Sequence, residues 1–168
     1  MEQRFKIVLI GDGGVGKTAF IKRHATNIFD RKYVATVGAD VTVLSFDSTH
    51  GKIVFEVWDT AGQEKFSGMK DGYYVNSNSV IVMFEAGSRI TRLNLHKWID
   101  MYRIIAPDTP VIVCGTKIDI QRAQASEKPN VNCDMYYEIS TKNNHNCKSP
   151  FLWLARNLTG QHNLELMF

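Results

Sequence analysis

Apolar residues fall along the chain in short blocks, and the spacing within each block predicts its element. Residues 5–10 form a mostly apolar run that stops at a glycine cluster, a strand signal. Residues 17–26, with Phe20 and Ile21 among polar neighbours, predict a short helix. Val41, Val43 and Phe46 precede a turn-like Asp47-Ser48-Thr49-His50-Gly51, and alternation resumes at Ile53, Phe55 and Val57, which predicts an antiparallel hairpin. Residues 80–84 and 111–114 are continuously apolar, as in central strands covered on both faces. Leu93, Trp98, Ile99, Tyr102 and Ile105 approximate helical spacing. Residues 136–140 read as one more strand. Pro150 opens a last helix through Phe151, Leu154 and Leu158, and Gly160 stops it.

About six strands with helices between most of them predict a three-layer α/β sheet in one domain spanning residues 1–168. The polar, turn-rich stretch 121–134 reads as an irregular surface loop. There is no internal repeat, low-complexity tract or interdomain linker.

Composition changes this picture little. At 44% hydrophobic and 22% charged, the 168 residues match an ordinary globular domain, which excludes disorder and collagen-like repeats. A net charge of +3 does not support nucleic-acid binding through bulk charge. Cys114, Cys133 and Cys147 read as reduced thiols of a cytosolic or nuclear protein. No run approaches the roughly 18 apolar residues of a membrane span, and residues 164–168 carry no cysteine for a prenyl anchor.

The chemistry begins at Gly11-Asp12-Gly13-Gly14-Val15-Gly16-Lys17-Thr18, which fits the phosphate-binding pattern of Gly, four residues, Gly, Lys and Ser or Thr. Its backbone must wrap a phosphate closely enough for several N–H groups to point inward, and glycines allow that. Lys17 supplies charge between terminal phosphates, the Thr18 hydroxyl can ligate Mg²⁺, and the following helix N-terminus adds its dipole. Residues 12–19 (Asp12, Gly13, Gly14, Val15, Gly16, Lys17, Thr18 and Ala19) are the expected phosphate contacts. At the end of strand 53–58, Trp58-Asp59-Thr60-Ala61-Gly62-Gln63-Glu64 places Asp59 to act on Mg²⁺ through water. In the same stretch Gly62 could offer an N–H to a γ-phosphate, and Gln63 could orient an attacking water. Gly115-Thr116-Lys117-Ile118-Asp119 follows strand 111–114. There Asp119 can accept from the N1–H and exocyclic amine of guanine, and the Lys117 stem can lie over the base. Alone, each of the last two stretches would more often be a plain loop; their order behind a phosphate loop favours function.

In order and spacing these three motifs resemble the Ras superfamily of small GTPases over essentially the whole chain. Within it the Ran family is most similar, on Lys32-Tyr33-Val34-Ala35-Thr36, Trp58 through Phe66, Asp71-Gly72-Tyr73-Tyr74 and Pro150-Phe151-Leu152-Trp153-Leu154-Ala155-Arg156. The resemblance implies a P-loop NTPase fold, a Ras-like G domain whose mostly parallel six-stranded sheet has one antiparallel edge strand. It implies GTP, GDP and Mg²⁺ as cofactors, with Thr18, Thr36 and Asp59 as metal residues and Gln63, Lys17 and Tyr33 as catalytic ones. Phe29 would pack against guanine, Tyr33 would shield the phosphates, and Ser140-Thr141-Lys142 would read the base through a backbone N–H. Residues 30–36 and 62–74 would be switches, ordered by the γ-phosphate and released on hydrolysis. Implied partners are an exchange factor, a GTPase-activating protein and importin- or exportin-type receptors, for a monomer without lipid anchor in nucleus and cytoplasm. Two other readings stand at this point: a degenerate G domain that binds nucleotide weakly and acts as a scaffold, and a Rab-like vesicle GTPase.

Three departures from the family pattern matter. Thr116 stands where the family has Asn, a side chain that contacts the base and braces the phosphate loop. A hydroxyl offers one donor where an amide offers two, so weaker or faster-exchanging nucleotide binding is expected, by roughly 1–3 kcal/mol. The 121–134 loop is shorter than the family's and lacks its His-Arg-Lys-Lys run. Residue 168 is reached without the family's linker, C-terminal helix and acidic tail, which fits a trimmed chain or a tailless divergent relative. Cys133, His145 and Cys147 read as scattered loop residues rather than a zinc site. Trp58, Trp98 and Trp153 read as core anchors.

Overall fold

Strand β1 (Glu2–Gly11) is buried on both faces over its second half, and the rest of the chain is laid out on its two sides. A computed structural model describes residues 1–34, 38–59, 70–120 and 127–168, with main chain alone for residues 70 and 71. The other strands are β2 (Ile28–Val34), β3 (Ala39–Ser48), β4 (Gly51–Asp59), β5 (Ser79–Glu85), β6 (Val111–Thr116), β7 (Met135–Glu138) and β8 (Leu166–Met167). They form one sheet in the order β2-β3-β4-β1-β5-β6-β7, with β8 added to β3. β1 pairs in parallel with β4 on one side and β5 on the other, and β6 and β7 continue in parallel. β3 runs antiparallel to β4 through the two-residue turn Thr49-His50, as the alternation predicts.

Period-two geometry divides the core. Ile7 and Leu9 of β1 pack with Phe46, Phe55, Phe20, Phe151 and Leu154 on one face, under helices α1 (Lys17–Lys22) and α5 (Ser149–Thr159). Val8 and Ile10 pack with Tyr74, Leu95, Trp98, Ile99 and Tyr102 on the other, under α2 (Lys70–Tyr74) and α4 (Leu95–Ile105). Each buried Leu, Ile or Phe contributes about 1.5–3 kcal/mol, so both layers are needed to hold the sheet. The short α3 (Arg89–Leu93) precedes α4 and is capped by the Ser88 hydroxyl, which accepts from Thr91 N–H at 3.4 Å. Pro150 sits in the first turn of α5, and Gly160 closes it in the left-handed region at φ 71°.

Among the described residues the six expected strands are all present, and two more join them. β2 lies outside β3 and β8 covers β3 further along, so the antiparallel margin is broader than the alternation indicated. The expected helix over residues 17–26 shortens to α1 followed by a 3-10 turn, Ala25–Asn27.

Between α1 and that turn, His24 is buried among aromatic rings. It meets Phe151 edge-on at 4.8 Å between centroids and Phe20 at 5.3 Å. Its Nε2–H donates to the Cys147 carbonyl at 3.0 Å, which fixes the tautomer of the neutral ring. Burial lowers its pKa to about 4. The unfolded chain takes up this proton near pH 6.5 and the fold only near pH 4. The stability owed to neutral His24 is therefore complete above pH 6.5 and falls by about 1.4 kcal/mol per pH unit below it, about 3 kcal/mol in all. Urea midpoints measured from pH 7 to pH 4.5 should drop steeply in the wild type and much less in His24→Phe; equal slopes would show that His24 does not carry the dependence.

Candidate functional site

The strand order reverses at β1, and the parallel strands end along one rim of the sheet, where α/β proteins bind ligands. Gly11 ends β1 at φ 147°, so close to β5 that a Cβ would stand 2.2 Å from the Met83 carbonyl oxygen. Only glycine passes here. The loop then turns through Gly14 (φ 79°) and Gly16 (φ 104°) into α1. A Cβ built at Gly13, Gly14 or Gly16 meets nothing within 4 Å. The three glycines therefore keep open the surface that a bound phosphate would need, and the predicted cradle fits one. Lys17 is only 4% exposed, and its ammonium donates to the carbonyls of Gly11 and, at 3.1 Å, Asp12.

Side chains from distant parts of the chain hold this loop. The Thr116 hydroxyl, at the end of β6, lies 2.6 Å from the Val15 carbonyl and 3.1 Å from that of Phe84. Thr116 thus keeps the loop-bracing half of the role expected of Asn. With its one proton given to these carbonyls, it lacks a second donor to offer a base. Next to it, Lys117 adopts the left-handed conformation (φ 59°) and donates to the Gly14 carbonyl at 2.8 Å, with Glu85 3.8 Å away. The Asp12 carboxylate accepts from Asn94 Nδ2 at 2.7 Å and Trp98 Nε1 at 2.8 Å. Whatever Asp12 offers a phosphate in this arrangement comes from its main chain.

The Thr18 hydroxyl donates to Asp59 Oδ2 at 3.1 Å, across the end of β4. Asp59 is buried and stands directly opposite Asp40 in the β3–β4 ladder. Both carboxylates and Thr18 line a cavity of about 380 Å³, together with Lys22, Arg31, Lys32 and Tyr33. Like charges facing across a ladder repel unless cations intervene. A hydroxyl and a carboxylate, both hard oxygen donors, also suit Mg²⁺, which takes few protein ligands and keeps several waters. The residues present fit that ion.

On the far side of the loop, Asp119 Oδ1 accepts from the buried Ser140 hydroxyl at 2.8 Å, which fixes the carboxylate's orientation. Ser140 also accepts from Asn143 N–H at 3.1 Å and exchanges main-chain bonds with His145. Its side chain thus supports the Asp119 carboxylate. Thr141 is half-buried and Lys142 exposed beside it.

Phe29 and Tyr33, expected against the nucleotide, lie on β2 and are 73% and 62% exposed. Their strand is held to β3 by pairs such as Tyr33↔Asp40, with a register shift between Ile28 and Asp30. Tyr33 nevertheless shares the cavity of Thr18 and Asp59. Thr36, Gly62 and Gln63 lie outside the described residues, as do positions 121–126 of the irregular loop. Among the described residues no group of three or more His, Cys, Asp and Glu could hold a metal.

A family model described as the Ras family matches residues 6–160, and the chain belongs to that family. Its domain is therefore a Ras-like G domain, a GTP-binding switch that hydrolyses GTP. Small GTPases of this kind bind guanine nucleotide, typically with Mg²⁺, and work with exchange factors and activating proteins. Asn94, Trp98 and His24 have no place in the motifs. Trp98 reads from sequence as a core anchor and is one, with its indole N–H turned to the loop.

The Thr116 brace has a measurable consequence. In Thr116→Val the shape is kept and the Val15 carbonyl loses its buried donor, a cost of about 1–3 kcal/mol, or roughly 5- to 150-fold faster release of fluorescent GDP. In Thr116→Asn, which adds a donor towards the base, release should slow. Wild-type release from the Val variant would show that the brace plays no part in binding.

Proposed function

We propose that this chain is a Ran-type GTPase, a monomeric GTP–GDP switch of nucleocytoplasmic transport. The observation that carries the switch is the shared cavity: Thr18 and Asp59, at the place of the terminal phosphate, line it together with Tyr33 of β2. β2 is bound to the sheet along one edge and its central residues are exposed, so little burial opposes its movement. A γ-phosphate that recruits Tyr33 would compete with the ladder of backbone bonds that holds β2 to β3, and its loss on hydrolysis would let β2 return to that ladder. The transport assignment rests on the sequence stretches that resemble the Ran family, Lys32 to Thr36 and Pro150 to Arg156 among them. Arg31 and Lys32, both exposed on β2, offer a basic surface to importin- or exportin-type receptors.

In this reading the loop N–H groups and the Lys17 ammonium steady charge that develops on the phosphates, and Gln63 orients the attacking water. Thr18, Thr36 and Asp59 would hold Mg²⁺, which supplies charge neutralisation between the terminal phosphates. Asp119 accepts from guanine while the Lys117 stem covers the base. No residue stands out as an internal arginine finger, so turnover without an activating protein is slow, on the order of one event per hour. The protein works between nucleus and cytoplasm.

A second reading, a G-domain scaffold with little hold on nucleotide, is favoured by one observation, the absence of a second donor at Thr116. Absence of measurable GDP binding by the wild type would select it.

In Gln63→Leu, nucleotide affinity should stay within about twofold, and hydrolysis stimulated by an activating protein should fall by at least about a thousandfold. Single-turnover phosphate release measures both the basal and the stimulated rate. Unchanged stimulated turnover would overturn the role given to Gln63.

A further inference from the structure

A phosphate-binding loop gains nothing from a negative charge of its own, yet Asp12 places a carboxylate second in this one. Both of its oxygens are taken by neutral donors of the neighbouring helix region: Oδ2 by Asn94 Nδ2 at 2.7 Å and Oδ1 by Trp98 Nε1 at 2.8 Å. The two donors are four residues apart, and so share one helical face. Trp98 is buried, its ring fixed among Val8, Ile10 and Ile99, which makes its N–H a rigid anchor point. The main-chain carbonyl of the same aspartate accepts from the Lys17 ammonium at 3.1 Å. Residue 12 is therefore gripped from both sides, its main chain by the phosphate lysine and its side chain by the helix.

We infer that Asn94 and Trp98 are positioning residues for nucleotide binding, acting through Asp12: they hold its carboxylate on the side of the loop away from the phosphates and tie the loop to α4. The inference rests on the reading that this loop binds a guanine nucleotide. Two neutral donors satisfy the carboxylate without cancelling its charge, so direction is what they control. Released, the side chain can turn about its χ angles towards the face where the loop N–H groups converge. There it competes for those donors and repels the phosphates through a medium of effective dielectric near 20. The penalty grows with phosphate charge, so the clamp bears more on GTP than on GDP, and added salt weakens it.

The test compares fluorescent GDP and a non-hydrolysable GTP analogue on wild type, Asn94→Ala, Trp98→Phe, Asp12→Asn and the double variant Asn94→Ala/Asp12→Asn, with thermal melting of each nucleotide-free protein alongside. For Asn94→Ala the expected loss of affinity is about tenfold for the GTP analogue and about threefold for GDP, shrinking from about 0.05 M to about 0.5 M salt. The double variant should return to within about twofold of the Asp12→Asn single variant, because the charge that the clamp directs is gone. Trp98→Phe keeps most of the packing and should show the same nucleotide ranking even if its melting temperature falls. Equal losses for both nucleotides, insensitive to salt and not rescued by Asp12→Asn, would mean that the two donors are merely structural and would overturn the inference. A wild type that binds neither nucleotide would overturn the reading of the loop, and the inference with it.

Discussion

A loop that turns its N–H groups inward to meet an anion must turn its carbonyls the other way, and buried carbonyls need donors. The loop from Gly11 to Thr18 meets that constraint almost residue by residue. Lys17 serves the carbonyls of Gly11 and Asp12, Lys117 that of Gly14, Thr116 that of Val15, and the Phe20 N–H that of Gly16. The donors come from α1, from the end of β6 and from the turn after it, so the loop is shaped only when the sheet around it is assembled. Thr116 shows how tolerant this requirement is. Any side chain with a donor at that height can carry the bracing, whereas contact with a base needs a second donor on the same side chain.

What could be read from the sequence follows from what burial imposes on it. β5, β6 and the second half of β1 are covered on both faces and therefore written as continuous apolar runs; in β4, Ile53, Phe55 and Val57 recur at every second position in one core layer, whereas β3 is buried without a break from Val41 to Leu44. β2 has no such signature. Phe29-Asp30-Arg31-Lys32-Tyr33 is exposed throughout, its order comes from backbone bonds to β3, and side-chain pattern carries no trace of those. β8, two residues long, is a matter of where the chain returns to the sheet.

The site divides in the same way. Lys17, Thr18, Asp59 and Asp119 could be proposed from the sequence because binding of phosphate, metal and base would fix their spacing along the chain. Their supports could not, because those are set by proximity in space. Asn94 and Trp98 reach Asp12 across 82 and 86 residues, and His24 reaches Cys147 across 123. His24 joins the end of α1 to the loop that begins at Ser140, and so links α1 with the segment that supports Asp119 through one hydrogen bond inside an aromatic cage.

The arrangement along the outer side of β3 also bears on what the sheet edge offers to a further strand. That side is covered by two separate pieces of chain, β2 against Ala39 to Leu44 and β8 against Asp47 and Ser48. β2 is thereby a seven-residue margin of the sheet, long enough to template a strand from another molecule. Consecutive charges at Asp30, Arg31 and Lys32 stand along it, between the exposed rings of Phe29 and Tyr33. Charged side chains on an edge strand disfavour pairing with a further strand, because taking them out of water costs desolvation. The opposite margin, β7, needs fewer guards because it offers only four residues. If the switch proposed above frees β2 from β3, the charges along β2 would keep the released edge from pairing with another molecule.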